Sequence, residues 1–190
     1  MDSAPVELVV IVASVRPGRL GPTVANWFLS AVAERLDFVV TSVDLMDLSL
    51  PADLSVSADG EIFAAAIGAA DAVVVVTPEY NHGYPGPLKI ALDSVKYEWR
   101  GKPIGFVSYG GMSGGLRAVE QLRQVATELH MVSVRDSVGI HRARKAFDDH
   151  GNLDDGAAVD ATSRMLDQLY WWAASTRSRQ DAHPYPGSSR

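Results

Sequence analysis

The sequence predicts an α/β protein of three layers, with a five-stranded parallel sheet between two layers of helices. Two observations predict it. Short runs of β-branched residues without polar alternation recur along the chain, as strands buried on both faces require. Between them lie stretches with apolar residues at helical spacing, so strand and helix alternate as a covered parallel sheet demands.

Taken in order, the strand runs are ELVVIVAS (7–14), FVVTSVDL (38–45), DAVVVVTP (71–78), PIGFVSYG (103–110) and MVSVRDSV (131–138). After the first comes PTVANWFLSAVAERL, which opens on Pro22, suited to a first helical position, and repeats Val24, Phe28 and Val32 on one face. EIFAAAIGAA (61–70), PLKIALDSVKYEW (87–99) and LRAVEQLRQVATEL (116–129) supply the next helices, and a last one is expected over 156–176. A chain of 190 residues fits one domain, expected over 1–176, with 177–190 as a flexible tail rich in Pro, Ser, Gly and Arg. No repeat of solenoid length interrupts the pattern.

Composition excludes several chemistries. Without cysteine there can be no disulfide, iron–sulfur cluster, cysteine-based zinc site or thiol nucleophile. His130, His141, His150 and His183 lack metal-ligand spacing, so no metal residue is assigned. A net charge of −6 argues against bulk nucleic-acid binding. The opening MDSAPVELVVIVAS carries acids where a secretory signal carries bases, and the apolar runs are shorter than a membrane span. The expectation is a soluble cytoplasmic protein with no membrane partner.

In open α/β sheets ligands sit beyond the carboxyl ends of the strands. The loops after the second and fifth strands, MDLSLPADLSVSADG and GIHRARKAFDDHGNLDDG, show nothing shaped for an anion in the first case and only variable charge in the second. Three others differ. SVRPGRLGPT (14–23) places Ser14, Arg16 and Arg19 around two glycines before a helix start, which suits a phosphate through backbone N–H groups, a hydroxyl and guanidinium forks. A solvated turn is the alternative. PEYNHGYPGPLKIALD, from Pro78, is held stiff by prolines and offers the flat faces of Tyr80, His82 and Tyr84. It suits a planar ring, or else a rigid turn completing the core or a subunit contact. SYGGMSGG (108–115) lets backbone approach a ligand closely. With a strand order of 2-1-3-4-5 assumed, the three loops are neighbours. A phosphate cradle, a planar clamp and a donor-rich glycine turn together match flavin mononucleotide (FMN).

At these residues the sequence resembles the NADPH-dependent FMN reductase family, flavodoxin-like proteins with quinone, azo and chromate reductase relatives. The resemblance runs from about residue 7 to 130 through SVRPGRLG, PEYNHGYPGPLKIALD and SYGGMSGG. It implies Ser14 and Arg16 at the FMN phosphate, with backbone of Arg19, Leu20 and Gly21. It implies Pro78, Glu79, Tyr80, Asn81 and His82 bordering the ring, and Ser108, Tyr109, Gly110 and Gly111 along its other side. The chain departs from the family pattern at Ala13, Arg19, Gly21, Gly83 and Ile90, where the family carries glycine, serine, asparagine, serine and asparagine. Arg19 adds charge to the phosphate loop.

The activity implied is hydride transfer from NADPH or NADH through flavin N5 to a flavin, quinone or similar small acceptor. No side chain is assigned as a catalytic acid or base. A homodimer or homotetramer is implied as well. Two other readings stand beside it: a non-catalytic electron carrier, and a serine hydrolase using GMSGG (111–115), with Asp148, Asp149 and His150 downstream. Trp99, Trp171 and Trp172 read as core or subunit-contact residues.

Overall fold

The computed structural model describes residues 4–187. Its elements are β1 (Val6–Val12), α1 (Gly21–Ala33), β2 (Phe38–Asp44), α2 (Ala58–Ala69), β3 (Ala72–Pro78), α3 (Gly86–Ser94), β4 (Pro103–Tyr109), α4 (Leu116–Glu128), β5 (Val132–Ser133), β6 (Val138–Ile140), α5 (Ala143–Ala146) and α6 (Gly156–Ala182). All strand pairs are parallel, in the order β2-β1-β3-β4-β5, with β6 also on β4. This is the predicted three-layer α/β/α, flavodoxin-like architecture.

Alternating side chains of the central strands feed two cores. Leu8, Val10 and Val12 of β1, with Val74 and Val76 of β3, pack under α1 and α6 beside Phe28, Met165 and Leu169. Val9, Ile11, Val73 and Val75 face the other way, with Phe63, Leu88, Leu122 and Trp99 of the opposite layer. β3 and β4 are buried along their whole length, which explains why their sequences lack polar alternation. Trp99 is a core residue as expected: its indole N–H donates to Leu92 and Val95 carbonyls and its ring meets Phe63 edge-on at 5.9 Å. Trp171 and Trp172, by contrast, are 61% and 36% exposed on α6 and belong to neither core.

Three elements differ from their predicted outlines. The run 131–138 does not form one strand. Arg135 and Asp136 would place charge in a covered sheet, so the chain leaves the ladder after Ser133 and rejoins β4 at Val138, while the Asp136 amide donates to Gln168 Oε1 at 3.1 Å. Helix α3 stops at Ser94 rather than at residue 99, because Val95 turns extended to let Trp99 fold back. Helix α6 continues past residue 176 to Ala182. Arg177 there pairs with Asp71 at 2.7 Å and donates to the Ala4 and Pro5 carbonyls. The tail predicted from 177 thus begins as helix, and Tyr185 lies edge-on to His130; residues 188–190 lie outside the described residues. Among the described residues no helix is long and apolar enough to cross a membrane.

Candidate functional site

A parallel sheet delivers the carboxyl ends of all its strands to one edge. Backbone hydrogen bonds then join the loops there into one surface. Ala13 N–H donates to Val76 O at 2.9 Å, Glu79 N–H to Tyr109 O at 3.1 Å, and Gly110 N–H to Ile140 O at 3.2 Å. Above this surface lies a cavity of about 600 Å³, a size that small-ligand sites commonly have. The loops after β1, β3 and β4 all line it, as does the segment after β6.

At the β1 end, the cavity meets the start of α1. Leu20, the N-cap, offers no side-chain acceptor, and the first turn contains Pro22 and no acid. The leading amides therefore present an uncompensated positive end. Gly21 sits against the layer below so tightly that a Cβ there would lie 2.2 Å from Ser14 Oγ and 3.1 Å from the Tyr109 hydroxyl. Both hydroxyls are buried without a hydrogen-bond partner of good geometry. Tyr109 lines the cavity and Ser14 lies behind it. Burial pushes the Tyr109 phenol up to about 12, with nearby Ser14 only partly offsetting it, so the phenol stays a donor at neutral pH. An unmet buried hydroxyl costs about 1–3 kcal/mol. Two of them beside an open helix start fit a phosphate, the anionic end of FMN.

The two arginines of this loop have different fates. Arg16 is exposed on the rim, its guanidinium 5.2 Å from the centroid of the Tyr80 ring. Arg19 grips Asp44 through both terminal nitrogens, at 2.5 and 2.7 Å, and donates to Ser14 O at 2.5 Å. The Asp44 hydrogen bond dominates its raised pKa. Its charge is already matched, so it braces the β1 loop to the end of β2 rather than adding free charge.

At the β3 end, Pro78, Glu79 and Tyr80 line the cavity but Asn81 and His82 do not. Tyr80 and Gly83 exchange backbone hydrogen bonds of 2.9 and 3.1 Å around a two-residue turn. Asn81 and His82 form its exposed tip with φ of 48° and 76°. The Glu79 side chain points away from the cavity's middle, into the β4 loop, and is 4% exposed. It accepts from Ser113 Oγ at 2.7 Å and from the Arg117 amide at 3.2 Å, and it pairs with the Arg117 guanidinium. Burial raises its pKa, but the Ser113 and Arg117 hydrogen bonds with the Arg117 charge outweigh that and hold it below the usual value.

At the β4 end, Tyr109, Gly110 and Gly111 line the cavity. Ser108 is buried beneath, its hydroxyl donating to Gly114 O at 2.9 Å. Gly115 starts α4 at φ 90°, where a Cβ would fall 2.6 Å from Ser108 Cβ; only glycine allows the turn. The hydrolase reading does not find its expected partners at Ser113. Ser113 donates to a carboxylate, and Asp148 accepts from the His150 and Asn152 amides in a separate loop.

Sequence reasoning missed one wall. Arg142, Ala143, Arg144 and Lys145 line the cavity from the loop set aside as variable. Arg142 adopts φ 47° and donates its amide to Gly111 O at 2.8 Å, while the Ala143 amide donates to Gly110 O at 3.1 Å. The run RARK, three cations in four residues, was the available signal.

The sequence profile described as NADPH-dependent FMN reductase matches residues 6–145. An NAD(P)H-dependent FMN reductase of Schizosaccharomyces pombe is 39% identical over 136 residues, covering 66% of this chain and 68% of that protein. A probable NADPH:quinone oxidoreductase of Oryza sativa is 35% identical over 147 residues, covering 71% and 72%. Among solved structures, the flavoenzyme NAD(P)H:(acceptor) oxidoreductase FerB of Paracoccus denitrificans superposes with a TM-score of 0.72 over 90% of this chain and 98% of its own. At 22% identity it shares the fold.

Proposed function

The chain belongs to the NADPH-dependent FMN reductase family, and on that premise we propose that it is an FMN-dependent oxidoreductase that draws on NAD(P)H and holds its coenzyme across the cavity above β1, β3 and β4. The coenzyme's phosphate would lie at the start of α1, with Ser14, Tyr109 and Arg16 as side-chain donors. Its ring would lie against Pro78–Tyr80 on one side and Tyr109–Gly111 on the other. FMN bound there supplies a two-electron relay between a reduced nicotinamide and a small acceptor such as a flavin or quinone.

The chain's own residues would bind and orient. Tyr109, with its phenol protonated, donates at the phosphate end. Glu79 fixes the spacing of the β3 and β4 loops through Ser113 and Arg117, so the ring's two neighbours cannot drift apart. Asn81 and His82 act through the turn they form, whose position Gln121 secures by donating to His82 O at 3.0 Å. No side chain at the cavity is assigned as a catalytic acid or base; the residues that line it would bind and orient.

The observation that carries the reading is the pair of unpartnered buried hydroxyls beside the uncapped start of α1. The test is a visible spectrum of the purified chain with added FMN, before and after NADPH. A bound flavin that bleaches with nucleotide and sustains turnover on a quinone supports it; no bound flavin and no nucleotide oxidation overturns it. The reading extends to a cytoplasmic homodimer or homotetramer. The exposed Trp171–Trp172 pair, with ring centroids 5.0 Å apart, supports a subunit contact, and sedimentation velocity tests it.

A further inference from the structure

The cations after β6 exceed what one coenzyme phosphate needs. That phosphate already has the start of α1, Arg16 and two hydroxyls. Arg142, Arg144 and Lys145 are all exposed on the same rim. Among the described residues none of the three is in an ion pair. The other charged groups of the rim do not offset them, because Arg19 is matched by Asp44 and Glu79 by Arg117. Three like charges held together in a chain of net charge −6 point to a second anion.

A second cavity, of about 540 Å³, shows which anion. It runs along the outer face of α1 and shares Leu20 and Arg144 with the first. Trp27 and Phe147, edge-on at 6.5 Å, give it an aromatic wall, and Asn26 and Ser30 give it hydrogen-bonding groups. Asp148 and Asp149 also line it, which disfavours a phosphate inside but suits the amino edge of a purine. The polarity is therefore ordered: Arg144 where the cavities join, then the aromatic pair Trp27 and Phe147, with the Asp148 and Asp149 carboxylates as acceptors. Within the basic run, Arg142 is bonded through its amide to Gly111 of the ring loop, Arg144 lines both cavities, and Lys145 lines the first beside it.

We propose that Arg144 and Lys145 bind the 2′-phosphate of NADPH, with the cavity beside α1 taking its adenosine, so that this chain selects NADPH over NADH. Arg142, next to the ring, would meet the pyrophosphate that links the two halves. The proposal rests on the FMN reductase reading for the position of the nicotinamide. An arginine fork with a lysine is the side-chain chemistry a phosphate monoester on a ribose calls for.

The test uses the FMN-loaded chain and two fragments, adenosine 2′,5′-bisphosphate and adenosine 5′-monophosphate, by calorimetry. The bisphosphate is expected to bind about tenfold tighter or more, and Arg144→Gln with Lys145→Gln to abolish that preference. In turnover, the same double variant should lower the ratio of kcat/KM for NADPH to that for NADH by about tenfold or more. Both side chains are exposed, so the variant should melt like the parent. Equal binding of the fragments by the parent, or an unchanged preference in the double variant, overturns the proposal. So does a double variant that loses FMN while its nucleotide ratio holds, which would assign the two cations to the coenzyme's own phosphate. If instead the parent binds no FMN and oxidises neither nucleotide, the functional reading fails. The fragment preference can then still be read on the flavin-free chain.

Discussion

Two helices begin at the same edge of the sheet, and the chain treats them in opposite ways. The start of α4 is closed from within: the Glu79 carboxylate reaches across from the β3 loop to accept from the Arg117 amide, the Arg117 guanidinium and Ser113 Oγ. The start of α1 is left open, with no capping side chain, no acid in its first turn and two buried hydroxyls without partners. Folding alone would favour closing both. On the proposed function, the difference separates scaffold from site: where polar groups are matched the protein holds its own loops, and where they are not the coenzyme's phosphate would match them.

The largest effect should come from breaking the closed end. Glu79→Ala removes a carboxylate that is 4% exposed and leaves Ser113 and the Arg117 amide unmet. A loss of about 2–4 kcal/mol in urea unfolding of the flavin-free chain is expected. A loss below 0.5 kcal/mol would mean that the closed corner is not what holds the loops.

The open end should respond with the opposite sign. Tyr109→Phe and Ser14→Ala each delete a hydroxyl without a hydrogen bond of good geometry, so the flavin-free chain should be unchanged or stabilised by up to about 1 kcal/mol. Clear destabilisation would show that these hydroxyls serve the fold, and the contrast between the two helix starts would dissolve.

Acid titration sharpens the same contrast. Glu79 sits below its usual pKa in the folded chain, so its stabilisation is fully present above the unfolded value of 4.5 and is lost as pH falls through the folded one. Glu79→Gln should therefore unfold less steeply with acid than the parent. The Tyr109→Phe chain should follow the parent through this range, since a phenol at about 12 carries no charge there.

The smallest effect concerns Arg19. Asp44→Asn keeps an acceptor for the Met46 amide, now 3.0 Å from Asp44 Oδ1, but removes the charge that neutralises Arg19. FMN should bind about two- to threefold tighter at low salt, a gain that fades as salt screens it.

How far these corners were legible in the sequence follows from distance along the chain. β1, β3 and β4 could be read because burial on both faces favours apolar residues, and Val73 to Val76 follow that rule without exception. The segment 131–138 looked like another such strand because Val132, Val134 and Val138 mask the two charges that break it. At the sheet edge, the loops that line the cavity were readable, but the partners of their side chains were not. Arg19 meets Asp44 from 25 residues away. Ser14 and Tyr109 both reach Gly21 because β1 and β4 flank β3 in one sheet. Glu79, read as a ring contact, finds Ser113 and Arg117 on the next loop. Asn81 and His82 were grouped with the ring because they follow Tyr80, whereas a two-residue turn carries them to an exposed tip. The basic wall at 142–145 looked variable because its relation to the cavity depends on where the broken fifth strand resumes.

The most direct test of the open corner compares FMN with riboflavin, which lacks the phosphate, by quenching of flavin fluorescence on titration into the parent and a Ser14→Ala/Tyr109→Phe chain. FMN is expected to bind the parent about a hundredfold tighter than riboflavin, and the double variant to lose most of that preference while its riboflavin affinity holds. A parent that binds both flavins equally, or a variant that loses both in the same proportion, would contradict a phosphate site at the start of α1.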